Sequence, residues 1–501
     1  MESATLIRPR TGPGWLARLA ALPPSGWAGF GLLALGVLAA AAFFAYPTFP
    51  NYDSYYALLW GREILHLHPP SFGVYRAPTE HPLAIAFGVL LSVFGRGADR
   101  IMVACTVASF LGLAAGLYRL SRLAFTPLVG AVAVALLCTR FEFPFLAARG
   151  YLDIPYLAMI VWAGALEIER PRRGTPVFLA LAAAGLLRPE AWLMTGLYFL
   201  WCAWPASWEQ RLRFAALAAI GPAAWAGVDL AVTGDPLYSL HSTSDLADEL
   251  GRSTGFASVP GALGGFLVRL DKVPVLIGAG VGGALALWLS PRRVVMPAVL
   301  LAVGIVTFVL VGAAGLSVID RYLLPASVMV MVFAAVGVGG WTMLEPGWLR
   351  RTWALAALAL VAFGILNAAR TLSLTSFETQ LTFRRDSHAS LLAIFANPRV
   401  RAAMRCGPIS VPNHKLIPDV RWVLGRGARE VLARNQAVVR ARRGHFELQR
   451  KVSRGVALYA TGAAIFQQAI VETSDDPIIQ VPPAGFDRIA VSQYYTAYAR
   501  C

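Results

Sequence analysis

A chain of 501 residues that is 57% hydrophobic and 14% charged, with a mean hydropathy of +0.58, is too apolar for a soluble fold of this size and reads as an integral membrane protein. Its net charge of +16 does not point to nucleic acid: Met1 to Arg370 is mostly bilayer sequence, and from Arg370 on 19 basic residues stand against nine acidic ones. Anionic lipid or envelope polymer is the neighbour such a tail would meet.

Arg8, Arg10 and Arg18 precede a 20-residue uncharged run, Trp27 to Tyr46. The run is too long for a signal peptide and Tyr46-Pro47-Thr48 is no small-residue cleavage site, so it reads as a retained anchor. Ten further apolar runs follow at 101–118, 123–139, 151–166, 175–187, 191–204, 214–232, 273–289, 294–318, 322–341 and 353–369. A span needs about 20 apolar residues, fewer where neighbours shield it. About eleven spans leave Arg119 and Arg122, Arg170, Arg172 and Arg173, Arg211 and Arg213, Arg292 and Arg293, and Arg350 and Arg351 on short loops of one side, cytoplasmic by the positive-inside rule. A multi-pass protein of the cell membrane results, with its N-terminus cytoplasmic and its C-terminal domain extracytoplasmic. Pro82 to Gly95, at 14 residues, is too short to cross and would turn every arginine cluster outward, so it is laid on the outer surface as a juxtamembrane helix. Arg188-Pro189-Glu190 interrupts the stretch 175–204, which reads as a hairpin with an outward tip.

This threading sends acidic chemistry outward. Asp53 lies about seven residues beyond the first span, amid Tyr55, Tyr56 and Trp60, with His66, His68, Glu80 and His81 following. An isolated loop aspartate is ordinarily a solvated acid; one fixed just outside a bilayer can act on a lipid headgroup. In the next outward loop Arg149 stands four residues before Asp153 and could simply pair with it. Arg188 can be a snorkelling arginine at a helix end, and Asp320 can neutralise Arg321. Arg321 could equally hold a phosphate bidentately where a lysine could not. Thr233 to Asp245, with His241, has turn chemistry at Gly234-Asp235-Pro236. His66 and His68 share one face of an extended segment but lack a third ligand at metal spacing, so no zinc site is read there. No Gly-rich nucleotide loop or Ser/His/Asp triad is visible.

From residue 370 to 501 the chain reads as a small α/β domain, following a membrane domain over 1–369. Strands are expected at Gly407–Pro412, Pro477–Pro482 and Arg488–Tyr495, and helices at Ala389–Ala396 and Arg426–Arg440. Gly455 to Ile470 is expected to be buried core rather than another span. Cys105, Cys138 and Cys202 fall within spans as small apolar residues. Cys406 and Cys501 fall in the tail, in the oxidising compartment; a disulfide between them is expected, two unrelated free cysteines being the alternative.

The pieces NYDSYY, WGREI and APTEHPL of the first loop resemble that of the GT-C glycosyltransferases, polytopic enzymes that take sugars from polyprenyl-phosphate donors and include protein O-mannosyltransferases and aminoarabinose transferases. ARGYLDIP, GDPLYSLH and RYLLP are similar to that family's later motifs, and the resemblance covers about 27–369 in topology and motif order. It implies transfer of a hexose or pentose from a polyprenyl-phosphate-sugar to a hydroxyl of a glycan, lipid or protein acceptor on the extracytoplasmic face, with inversion. Asp53 would be the catalytic base. Asp153 would orient the sugar or, with Asp53, hold a divalent cation (Mg or Mn), no other cofactor being implied. Arg188, Arg321 and His81 would meet the donor phosphate, with Glu80, Arg149, Glu190, His241 and Tyr322 around the substrates. The rivals are a lipid or glycan transporter or flippase, and an O-antigen-ligase-like transferase using a diphosphate lipid.

Overall fold

The computed structural model describes residues 24–371, 374–434, 452–461, 482 and 484–501. Each of the eleven apolar runs falls on a helix, and the protein is a polytopic α-helical membrane protein with a small C-terminal α/β region. Among the described residues six helices are long and apolar enough to cross a membrane: Gly26–Ala45, Gly95–Ala124, Trp208–Thr233, Pro291–Ala313, Asp320–Met343 and Trp348–Leu366. Counting two bent pairs as one span each, Pro127–Thr139 with Glu142–Ala148 (64°) and Phe256–Asp271 with Val273–Leu289 (99°), raises this to eight. Not all of the expected eleven spans are therefore full-length. Thr175–Leu187 and Ala191–Ala203 have 13 residues each, about 20 Å of helix against a hydrocarbon thickness of about 30 Å.

The 11-residue helix Pro82–Ser92 is too short to cross and packs on the helix Tyr52–Leu65. Glycines set that crossing: a Cβ on Gly61 would lie 2.3 Å from the carbonyl carbon of Gly88, and one on Gly88 would lie 2.2 Å from the oxygen of Ala57. The small-residue approach brings two helical backbones into contact and fixes the roof of the first loop.

That loop is stitched to the loop before Asp153. Asn51 caps Tyr52–Leu65 by accepting from Ser54 N at 2.8 Å, while its own N–H donates to Arg149 O at 2.7 Å. Ser54 Oγ donates to Gly150 O at 2.5 Å, and Thr48 Oγ1 donates to Ala148 O. Gly150 has φ +69° and a Cβ there would meet Pro50 Cα at 3.3 Å, so any side chain would strain this seam. Two segments about 100 residues apart are thereby held side by side, with Asp53 at the start of one helix and Asp153 at the start of another.

The described tail residues form a five-stranded sheet in the order β2-β1-β3-β5-β4, with β1 Ile409–Val411, β2 Val431–Ala433, β3 Gly455–Ala460, β4 Asp487–Val491 and β5 Tyr495–Arg500. β1 pairs parallel with β2 and β3; β5 pairs antiparallel with β3 and β4. Ala389–Ala396 lies within the longer helix Leu374–Ala396. Over residues 426–434 of the expected helix Arg426–Arg440 no helix forms: Gly425, left-handed at φ +65°, ends the helix Ile417–Leu424, and Val431–Ala433 joins β1, while 435–440 lie outside the described residues. Ladder pairing there overrides local propensity. Residues 477–481 of the expected strand Pro477–Pro482 and the latter part of Gly455–Ile470 lie outside the described residues, whereas β3 is wholly buried.

Tail and membrane region are clamped together. Arg421, fully buried, donates to Glu63 Oε1 at 2.6 Å, and Arg62 donates to the carbonyls of Arg421 and Trp422 while its guanidinium lies 4.9 Å from the Trp422 ring centre. Cys406 and Cys501 are joined in a disulfide closing a separation of 95 residues, with a nominal stabilisation of about 4–5 kcal/mol in the chain-entropy account. Non-reducing peptide mapping is expected to recover both in one linked species; two alkylatable thiols in the native protein would contradict the bridge.

Candidate active site

A cavity of about 930 Å³ lies between these loops and the tail. Its lining combines apolar side chains, among them Trp192, Leu193, Trp225, Leu310 and Val311, with charged ones. Seven cationic residues line it (Arg76, Arg149, Arg188, Arg252, Arg321, Arg384, Lys415) against four acids (Asp53, Glu190, Asp229, Asp419), a balance suited to an anionic substrate with a greasy portion.

Five residues from four separate places in the sequence form one chain of ion pairs. Arg321 Nη1 is 3.3 Å from Asp53 Oδ2 and 3.5 Å from Asp153 Oδ2. Arg188 Nη2 is 2.5 Å from Asp153 Oδ1, and its Nη1 is 3.1 Å from Glu190 Oε1. Arg188 also sits 5.9 Å from the ring centres of Tyr156 and Tyr322, and Arg321 5.4 Å from that of Tyr151. Helix breaks supply all of this: the turn at Arg188–Glu190, the helical starts at Asp53 and Asp153, and the single-turn segment Asp320–Leu323.

Asp53 faces the cavity with its side chain about a fifth exposed. Burial works against its charge, but the Arg321 and Arg188 guanidiniums outweigh burial and hold the carboxyl below its ordinary value, so it is ionised at neutral pH. His81 is pushed down to about 4 by burial and by Arg188 and is neutral. Its ring lies edge-on to Trp225 at 5.8 Å, and its Nδ1 is buried with no hydrogen-bond partner among the described residues.

The remaining sequence-derived residues divide. Arg149, Glu190 and Tyr322 line the cavity with Arg188 and Arg321. Asp153 does not; its side chain is 2% exposed behind the two arginines. Its partners are Arg188 and Arg321 rather than Arg149, because Arg149 donates to Phe49 O at 2.9 Å and lies over the Phe49 ring. Glu80 is also absent from the lining: it is turned toward Asp229 and Ser239, and burial pushes it up to about 8. His241 is mostly exposed, outside the lining and paired with Asp235 at 2.7 Å. Arg321 pairs with Asp53 and Asp153, not Asp320, which Arg269 holds.

Among the described residues Asp53 and Asp153 would give a shared divalent cation two protein carboxylates at most. Arg321 Nη1 contacts both carboxylates where the ion would sit, and among the described residues no group of three His, Cys, Asp or Glu side chains could complete a coordination sphere.

Several lining residues carried no sequence signal. Arg76, non-glycine at φ +54°, receives Tyr52 Oη on its carbonyl at 2.7 Å and donates to Glu249 O at 2.9 Å. Arg252, Arg384, His388, His414, Lys415 and Asp419 complete the walls, and for those of the tail only its excess of basic residues was visible beforehand.

No protein-family model matches the sequence, and no curated protein matches it. The structure is similar to that of ArnT from Cupriavidus metallidurans bound to undecaprenyl phosphate, with a TM-score of 0.55 and 13% identity over 95% of this chain and 98% of that one. It aligns with the apo state of the same protein with a TM-score of 0.53, at 13% identity and equal coverage. An oligosaccharyltransferase of Archaeoglobus fulgidus tethered to an acceptor peptide aligns more weakly, with a TM-score of 0.49 and 10% identity over 88% of this chain and 70% of that one.

Proposed function

We propose that this chain, a membrane protein of the GT-C fold, is a glycosyltransferase that moves a sugar from a polyprenyl-phosphate-sugar to an acceptor hydroxyl. The observation that carries the reading is the ion-pair chain Asp53–Arg321–Asp153–Arg188–Glu190, of which Asp53, Arg321, Arg188 and Glu190 line a cavity that apolar side chains line as well. The neighbour's undecaprenyl phosphate is a ligand with those two characters, an anion on a hydrocarbon chain.

In this reaction the acceptor oxygen attacks the anomeric carbon, the bond from that carbon to the phosphate oxygen breaks, and the acceptor proton passes to Asp53. The polyprenyl phosphate leaves carrying the electron pair, and Arg321 and Arg188 stabilise the charge that develops on it. Displacement on the face opposite the phosphate inverts the anomeric centre. Asp153 aims the two arginines, and neutral His81 can donate to a phosphate oxygen or to the sugar. The Asp53–Arg321 contact has a second consequence. A carboxylate held down by a guanidinium is a weak base; once the donor phosphate shares Arg321, part of that hold is withdrawn and Asp53 gains basicity when substrate is present.

On this reading the end of the bundle that holds the cavity and the tail face the extracytoplasmic space, the side opposite the short arginine-bearing loops, where lipid-linked sugars rather than nucleotide sugars serve as donors. Tags at Ser253 and Cys501 should be labelled from outside intact cells and one at Arg172 should not; the reverse pattern would invert the protein.

Purified protein assayed with a panel of polyprenyl-phosphate sugars tests the function. Transfer from at least one donor is expected, whereas movement of the lipid across a bilayer with no change in its sugar would overturn the enzyme reading in favour of a transporter. Because Arg321 occupies the place between the carboxylates, chelators should leave the rate within about twofold of the untreated enzyme; loss on chelation with recovery on added Mn²⁺ would show that a metal displaces Arg321 from Asp53.

A further inference from the structure

We propose that the cavity holds a second anion-binding subsite, built by Arg149 and Arg384, that takes the oxyanion group, phosphate or carboxylate, of the sugar acceptor. The word acceptor rests on the transfer reading above; the binding of an oxyanion does not.

The geometry is specific. The Phe49 ring carries the Arg149 guanidinium at 4.2 Å and the stacked imidazole of His388 at 4.6 Å. Arg384, on the tail helix Leu374–Ala396, reaches the same wall with its guanidinium 5.3 Å from the Phe145 ring centre, and its Nε is buried with no hydrogen-bond partner among the described residues. Arg149, Arg384, His388 and Asp419 all line the cavity. Tyr151, whose ring centre lies 5.4 Å from the Arg321 guanidinium, lines the same cavity.

Charge pairing separates the two clusters. Arg188 and Arg321 are each matched by two carboxylates. Among the described residues neither Arg149 nor Arg384 makes an ion pair, and Arg149's hydrogen bond is to a backbone carbonyl. The acid in electrostatic range of both is Asp419, which burial pushes up to about 7. Two largely buried guanidiniums sharing at most one negative charge are costly without a further anion. Two such forks match the planar or tetrahedral oxygens of a carboxylate or phosphate. The bland alternative is that both arginines only latch the tail through Asp419, and the two readings give opposite signs when Asp419 is neutralised.

The test is a binding titration on the full chain in phosphatidylcholine nanodiscs, with glucose 6-phosphate as probe and glucose as the neutral control. Glucose 6-phosphate should bind wild type and Arg321→Gln, bind Arg384→Gln at least about tenfold more weakly, and bind Arg384→Lys with an intermediate affinity. Asp419→Asn should bind it at least as tightly as wild type. Melting temperatures of each variant show that it is folded. Equal binding of glucose, loss of binding in Arg321→Gln with retention in Arg384→Gln, or loss in Asp419→Asn with a lowered melting temperature would each overturn the subsite. Competition by phosphatidylglycerol added to the discs would assign the oxyanion to a lipid headgroup, and no competition would assign it to a water-borne acceptor. The readout is binding, so a protein inactive with every donor can still pass, and an active one can fail.

Discussion

Replacing Asp53 with Asn should lower sugar transfer by at least about 10²-fold, the loss expected on removing a general base, while leaving the protein folded. Among the described residues the Asp53 side chain makes one hydrogen-bonded contact, at 3.3 Å to Arg321, and it stands in the first turn of Tyr52–Leu65, where a negative charge contributes about 0.3–1 kcal/mol. Arg321 keeps Asp153 as partner in the variant. The melting temperature should therefore change little, and near-wild-type turnover would remove Asp53 from the chemistry. The pH profile adds a second measurement. A base must be deprotonated, so activity falls as pH falls through the pKa of Asp53, which in the free enzyme is held below the ordinary carboxylate value. That pKa governs the acid limb of kcat/KM, whereas the acid limb of kcat reports the donor complex, in which phosphate competes for Arg321. The kcat limb should lie at higher pH than the kcat/KM limb. Coincident limbs would mean that the donor phosphate leaves the Asp53–Arg321 contact untouched.

The membrane half of this fold was legible because the bilayer imposes it: long apolar runs, arginines on one side and a proline-marked break at Arg188-Pro189-Glu190 each have one physical meaning. Asp53, Asp153, Arg188 and Arg321 were legible for a related reason, since charged residues at the ends of apolar helices are rare unless something uses them. Their pairing was not. Arg149 is the local partner of Asp153 by helical spacing, yet it leads into the Phe49 seam, and the partners that form come from 35 residues downstream and from the distant segment Asp320–Leu323. Spacing governs contacts along one helix, whereas these contacts arise between helix ends that only packing brings together. Glu80 and His241 show the same limit from the other side: their chemistry suited the substrate, but the loop backbone turns one toward Asp229 and leaves the other with Asp235 in solvent. In the tail, Val431–Ala433 fell within the helical pattern expected over Arg426–Arg440 and became a strand because β1 offered an open edge.

Asp153→Asn should separate aiming from proton transfer. The carboxylate is buried, receives Arg188 and approaches Arg321, so the amide leaves two guanidiniums with one counter-charge fewer in a confined space. Removing one member of a buried ion pair typically costs about 3–5 kcal/mol, and the cost here should fall at the lower end because Glu190 and Asp53 remain as partners for the two arginines. A drop in melting temperature is expected, together with a fall in kcat of roughly ten- to hundredfold as the arginines lose their aim at the leaving phosphate. The donor KM should not rise, because the phosphate meets more net positive charge than before. A rise in KM at unchanged kcat would instead make Asp153 a simple binding group. The acid limb of the pH profile should stay where it is in wild type, since Asp53 remains the base; its disappearance would hand that role to Asp153. Combining Asp153→Asn with Arg188→Gln completes the argument. If the carboxylate acts through Arg188, the double variant should be more stable than the sum of the two single losses predicts, by about 0.5–3 kcal/mol, the range measured for contacting pairs, because it no longer confines an unmatched guanidinium. Strict additivity would place the effect of Asp153 on Arg321 alone, and the same cycle run with Arg321→Gln would then show the coupling.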